Sequence, residues 1–223
     1  MKNIIGVLIL LALAGCSGAS RKHTKDCKNS ALYGYVSFCL PEIIGMTECR
    51  AHKGVQEVIQ PYLVTGPVLG YYLDNETCKK ADNLKNITCE NYFLMYGEYR
   101  LENYNARKPD LEQAEKGLEE TLFEGNNFEQ ISSRVEEYYK TMSVGKPALI
   151  EKYVPRENVR AMVVLMKYKS GDSETTVVSV VNFILLKNRL FNLAHYVAYD
   201  GGKSIDKAKN ENNAFLDKLF QVN

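Results

Sequence analysis

The chain has 223 residues, with 28 Lys+Arg against 27 Asp+Glu and a net charge of +1. So even a balance lacks the basic stripe of a nucleic-acid binder, and the length suits one domain or at most two. Tyr is abundant and Trp is missing, and there is neither a fixed-period repeat nor a low-complexity tract.

The first element is an address. Lys2 gives a positive start, and Ile4 to Ala14 is apolar apart from Gly6, too short to span a bilayer as a permanent helix. The segment ends in Leu13-Ala14-Gly15-Cys16, which resembles the lipobox of bacterial lipoproteins. That resemblance implies cleavage before Cys16 and a diacylglycerol on its thiol. By the same resemblance Ser17, in the next position, implies release to the outer membrane as in enteric bacteria, where Asp would retain the protein inside. The competing reading is an ordinary secretory signal with a chance cysteine. Residues 1–15 are therefore read as signal peptide, residues 16–30 as a lipidated tether, and residues 31–223 as a single domain. Acyl chains contribute roughly 0.8 kcal/mol per buried methylene, so two or three hold a protein on a membrane durably. Arg21, Lys22 and Lys25 on the tether could touch anionic head groups, or could simply be solvated.

Gly34 to Leu40 reads as a first strand, stopped by Pro41, and Glu42 to Gly54 as loop or one short helical turn. Pro61 and Pro67 bracket an irregular stretch. Val68 to Leu73 is a second strand, Glu76 to Thr88 a polar loop, and Tyr92 to Leu101 a third strand with a bend expected at Gly97. The period then changes. Pro109-Asp110 opens a helix carried by Leu111, Ala114, Leu118 and Leu122 and closed by Gly125. Phe128, Ile131, Val135, Tyr138 and Met142 suggest a second helix, and Pro147 to Tyr153 a short helical turn.

Three apolar runs follow: Val159 to Tyr168, Thr175 to Leu186 and Leu190 to Tyr199, the last two joined by a tight turn at Lys187-Asn188-Arg189. In the middle run both alternating sets are apolar, so layers must cover both faces and Val181 and Phe183 should be buried. A last helix, capped by Ser204, presents Ile205, Ala208, Phe215, Leu216, Leu219 and Phe220. Short hairpins and grouped helices predict an α+β fold: an antiparallel sheet of about six strands with helices packed on both faces.

Tyr35-Val36-Ser37-Phe38-Cys39-Leu40-Pro41 and Asn188-Arg189-Leu190-Phe191-Asn192-Leu193 resemble the opening strand and closing hairpin of the Mog1p/PsbP-like fold. Some bacterial lipoproteins have this fold. The resemblance implies a binding or assembly module and supplies no catalytic residues to carry over.

Chemistry-bearing candidates are few. Gly201-Gly202-Lys203-Ser204 looks like the tail of a phosphate-binding loop, but Val197 stands where the first Gly belongs, Asp200 has the wrong charge, and a turn plus helix cap accounts for it. The histidines are His23, His52 and His195. His195 alternates with Leu193 and Val197 as a hydrogen-bonded core or edge residue would, and Cys49 with His52 lacks the second pair a zinc site needs. Gly171-Asp172-Ser173 reads as a hairpin loop. Glu42 with Glu48 and Glu119 with Glu120 read as surface acids. Neither a cofactor nor a metal is expected, nor a nucleic acid or nucleotide partner.

Besides Cys16 there are five cysteines, so at least one stays free or pairs between chains. Cys78 and Cys89 bracket the polar loop between the second and third strands and are the preferred bridge. Cys39 with Cys49 is the second candidate, leaving Cys27 over on the tether. The alternative is that every thiol is reduced. The expected function is a lipid-anchored, non-catalytic envelope module on the periplasmic face of the outer membrane. Its partners would be the membrane, through the lipid, and an unknown protein. The alternatives are an immunity or inhibitor lipoprotein against a toxin, and a hydrolase.

Overall fold

A computed structural model describes residues 27–60, 62–82, 90–123, 128–129, 132–133, 142–170 and 173–223. Cys16, the rest of the signal and tether up to residue 26, Cys89, the Gly171-Asp172 loop and most of the second predicted helix lie outside these residues.

The chain is α+β. It opens with a small hairpin, β1 (Ser30–Tyr33) and β2 (Val36–Cys39), turned by Gly34 at φ 57°. A Cβ on Gly34 would collide with the backbone of Glu102, so both the turn and the close approach require glycine. Next come β3 (Met46–Glu48), α1 (Lys53–Ile59), β4 (Val68–Asp74), the five-residue α2 (Asn75–Lys79), β5 (Asn91–Tyr96) and α3 (Lys108–Phe123). The second half is β6 (Met142–Val144), β7 (Ala148–Arg156), β8 (Val159–Ser170), β9 (Ser173–Leu186), β10 (Arg189–Ala198) and α4 (Gly202–Val222).

Among the described residues the main sheet has eight strands rather than about six, in the order β3-β4-β5-β10-β9-β8-β6, with β7 also on β8. All its pairings are antiparallel. Strands β6 and β7 share one edge of β8, β6 against Tyr168–Ser170 and β7 against Val159–Leu165. Strand β7 corrects the expectation of a helical turn over Pro147 to Tyr153. Its residues alternate between exposed and half-buried, the period of an edge strand, and Pro155 is tolerated there because an edge strand need not donate outward. The expected strand over Gly34 to Leu40 is shorter and is preceded by β1, and β3 lies within Glu42 to Gly54, where a loop or one short helical turn is expected.

Both faces of the sheet are covered. On one, α4 and the β1–β2 hairpin pack Phe215, Leu216, Leu219, Ala31, Tyr33 and Phe38 onto Tyr72, Phe93, Met95, Val159, Ile184, Phe191 and Leu193. Each large α4 side chain contributes ~1.5–3 kcal/mol by leaving water. On the other face, α3 sets Leu111, Ala114 and Leu118 over Met162, Val164, Val181, Phe183 and Leu190. Beside it α1 places Val55 and Ile59 over Val68, Tyr71, Leu73 and Leu94. Val181 and Phe183 are buried, as the two-sided pattern requires.

Helix α4 is pinned by polar groups as well. Asn182 and Asn212, both fully buried, exchange amide hydrogen bonds at 2.6 and 3.0 Å. Asn182 also donates to the Leu193 carbonyl, and Asn212 to the Tyr153 hydroxyl. A buried amide pair satisfied in this way fixes the helix's rotation on the sheet, because any other angle strands the amides without partners. Among the described residues no helix is long and apolar enough to cross a membrane.

Candidate functional site

A groove of ≈ 470 Å3 lies between the hairpin base and α4, walled by Cys27, Cys39, Leu40 and Val222. A larger one, ≈ 810 Å3, runs between α3 and the sheet. Its floor is Phe183, Leu190, Asn192 and Tyr96, contributed by β9, β10 and β5. One wall is α3, through Gln113, Ala114, Gly117 and Leu118. The other is the segment after β5, through Glu98, Arg100, Leu101 and Tyr104.

That second wall is held by three contacts from elsewhere in the chain. The Tyr33 hydroxyl donates to the Glu98 carbonyl at 2.8 Å and accepts from the Glu98 amide at 3.0 Å. Its ring lies so close over Gly97 that a Cβ there would sit 2.4 Å from it, which is why the bend needs glycine. The buried Arg189 guanidinium donates to the Tyr104 carbonyl and to Asn105 Oδ1, at 2.9 and 2.8 Å. Asp110, in the first turn of α3, accepts from the Arg107 amide and from the Tyr104 hydroxyl. The Asp110 carboxylate raises the Tyr104 phenol above its ordinary pKa through that hydrogen bond, so Tyr104 stays a donor.

The groove's chemistry is mixed. Burial pushes the Tyr96 phenol up to about 12, with Glu98 adding to it. Glu98 pairs with Arg100, whose pKa that hydrogen bond raises further. Across the groove Lys116 pairs with Glu120 at 3.6 Å. Asn192 and Gln113 add amides that can both donate and accept. Apolar floor, amide groups and rim charges of both signs suit recognition of a neutral, mixed-polarity segment rather than a polyanion.

Beyond Tyr96 the same sheet face carries stacked tyrosines. Tyr92 and Tyr196, direct partners across β5 and β10, stack at 4.6 Å, and Tyr71 stacks on Tyr92 at 5.5 Å. Burial drives the Tyr92 and Tyr196 phenols well above their ordinary pKa, so these two rings act as neutral packing groups.

The other sequence candidates fall elsewhere. His195 is fully buried under α4, its Nδ1 3.0 Å from the Ala208 carbonyl oxygen and its Nε2 2.8 Å from Asn91 Oδ1. Its ring stacks on Phe93, and Glu211 lies 3.4 Å from Nε2. Ser204 does not cap α4. Gly201, at φ 125°, is the N-cap, while the Ser204 hydroxyl donates to the Asp200 carboxylate and accepts from the Asp200 amide. Glu42 pairs with Lys28, Glu119 with Lys152, and Glu48 accepts from the Arg50 and Tyr71 amides.

The cysteines correct the expected pairings. Cys49 is bonded to Cys78 and Cys27 to Cys39, with Cα separations of 6.0 and 5.3 Å. Neither Cys78–Cys89 nor Cys39–Cys49 is the pairing found. The reason is local. Asp74 ends β4 and caps α2 through the Glu76 and Thr77 amides, which turns Cys78 back over the end of β3, where Cys49 stands. Ser30 pairs with Cys39 in the hairpin, so the preceding residues run alongside Cys39 and bring Cys27 within reach. Cys27 to Asn29 is thus stitched to the domain, a link completed by the Leu40 amide on the Asn29 carbonyl. Cys49, once bridged, is no thiolate ligand for a metal beside His52. Among the described residues no His/Cys/Asp/Glu group could hold one.

The sequence pointed to the aromatic run at Tyr92 to Leu101 and to α3, but not to the groove between them. Arg189 and Asn192 are legible in the sequence only as residues of the last hairpin, since their roles at the groove come from strand register and long-range contacts.

Neither a family model nor a curated protein matches the chain. Two solved structures are similar to it. One is the Saccharomyces cerevisiae Ran-binding protein Mog1p, at 13% identity and a TM-score of 0.36, covering 87% of this chain and 94% of that one. The other is a single-substitution mutant of the protein Mog1, at 12% identity and a TM-score of 0.35, with the same coverage.

Proposed function

We propose that this chain is a lipid-anchored envelope protein on the periplasmic face of the outer membrane. Its Mog1p/PsbP-like domain acts as a non-catalytic module that binds a partner protein in the α3 groove. The observation that carries the binding reading is the lining of that groove. It is open to solvent, largely apolar at its floor, and rimmed by amides and balanced charges, with one wall held by the Tyr33 and Arg189 hydrogen bonds. The lipobox-like Leu13-Ala14-Gly15-Cys16 supports the anchor.

Photo-crosslinkers placed at Gln113 and Thr121, which line the groove, test the reading in intact cells, with Val154 on the edge strand as control. The expected result is one discrete protein adduct from the groove positions and none from Val154. Equal, diffuse labelling from all three sites would overturn it. A toxin in the adduct would select the inhibitor form of the same reading. Labelled palmitate, which should enter the native chain and not Cys16→Ser, tests the anchor separately.

A further inference from the structure

Large apolar side chains scattered singly over a surface need no explanation, so their placement matters more than their number. Leu32 is 67% exposed, Tyr35 87% and Ile44 99%. All three fall between Leu32 and Ile44, near the start of the described residues, on the hairpin and the loop that follows it. Their neighbours show which way they point. Ala31, Tyr33 and Ile43 turn into the core shared with α4, so Leu32 and Ile44, one residue out of phase, turn away from it. Tyr35 stands in the turn itself. Beside the exposed Ser30 and Ser37, Leu32 and Tyr35 are the large apolar groups on the outer side of the hairpin, and Ile44 adds one on the loop that follows.

The chain leaves the domain at this surface. Cys27 is bonded to Cys39 at the hairpin base, in the wall of the smaller groove. Eleven peptide bonds separate Cys16 from Cys27. Even fully extended, that stretch spans at most about 40 Å. A domain of this size is roughly 40 Å across. A lipid on Cys16 therefore keeps the hairpin side close to the bilayer and holds the far side away. Tyr suits such a boundary, with one end apolar and one end wet, and Leu and Ile suit the acyl side of it.

We propose that the outer surface of the β1–β2 hairpin, with Leu32, Tyr35 and the adjoining Ile44, sits in the interfacial layer of the membrane. This inference rests on the anchor reading. It deepens it by giving the domain a fixed orientation, with α4 and the hairpin toward the lipid and the α3 groove toward the periplasm.

The chain contains no Trp, so one substitution introduces a single reporter. Full-length Leu32→Trp, Tyr35→Trp and Ile44→Trp are compared with Val64→Trp and Val154→Trp, whose sites are 79% and 58% exposed elsewhere on the domain. Each lipidated protein is reconstituted into phosphatidylethanolamine–phosphatidylglycerol vesicles with plain or brominated acyl chains. The three hairpin-side reporters should lose about half their emission in brominated vesicles, as rings seated ~5–10 Å into the head-group boundary would, while Val64→Trp and Val154→Trp keep theirs. Vesicle-bound protein with no quenching at the three sites, or with equal quenching at all five, overturns the orientation and leaves the anchor standing. Protein that takes up no palmitate and stays in the aqueous phase overturns the anchor, and the inference with it.

Discussion

Strand β9 is buried from both sides, Val178, Val180 and Ile184 toward α4 and Val181 and Phe183 toward α3, and apolar pattern with strand register is enough to place it. The β1–β2 hairpin reaches the same α4 core with only a few inward side chains. It depends on the Cys27–Cys39 bond, the Tyr33 hydroxyl on Glu98, and the Asn223 side chain. That side chain accepts from the Cys39 amide and donates to its carbonyl. Strand β3, three residues long, leans in the same way on Cys49–Cys78. A region with enough apolar surface is held by packing. A region with too little is held by covalent links and single polar clamps.

The contrast can be broken most severely at the centre. Phe215 is fully buried against Tyr72 and Phe93, with ring centroids at 5.0 and 4.6 Å. Phe215→Ala should cost about 3–5 kcal/mol in a urea melt. A loss near 1 kcal/mol would show that α4 is replaceable. Next come the staples. Cys49→Ala with Cys78→Ala opens a loop of sequence separation 29 and should cost roughly 3.5 kcal/mol in the chain-entropy model. Opening Cys27–Cys39, separation 12, should cost a little under 3 kcal/mol on the same basis. If peptide mapping without reductant recovers Cys78 linked to Cys89, the geometry given for α2 and β3 is wrong.

Smaller in effect, Tyr33→Phe strands the Glu98 amide and carbonyl and should cost about 1–3 kcal/mol. It should also speed hydrogen exchange at Glu98 and Tyr99, where the groove wall is held, and leave β9 alone. Unchanged exchange would mean that the hairpin does not position that wall. The mildest effect concerns pH. The hydrogen bond to His195 holds the Glu211 carboxyl below its ordinary pKa, so its contribution to stability is complete above the unfolded value near ~4.3 and is lost as pH falls through the lower folded value. Glu211→Gln should flatten the acid limb of the urea midpoint between about pH 5 and pH 3 and change little near neutrality. An unaltered acid limb would remove Glu211 from the account.

How far the sequence could be read follows the same division. β4, β5, α3, β8, β9, β10 and α4 follow from alternation or helical spacing, because burial there writes itself into local pattern. β1 and β3, three or four residues each, have no room for a pattern, and missing them misplaced both disulfides. β7 is hard to read from sequence because Pro147 and Pro155 mask an alternation that only an edge position permits. The groove was visible only as its separate walls, since Tyr33, Arg189 and Asn192 acquire their roles from partners far away in sequence.

Native-state hydrogen exchange with and without reductant tests the division most directly. On reduction, protection should fall in β1, β2 and β3 while β8, β9, β10 and α4 keep theirs, because packing alone holds the latter. Loss of protection in β9 and β10 together with the hairpin would contradict it, showing that the staples hold the whole domain rather than its N-terminal third.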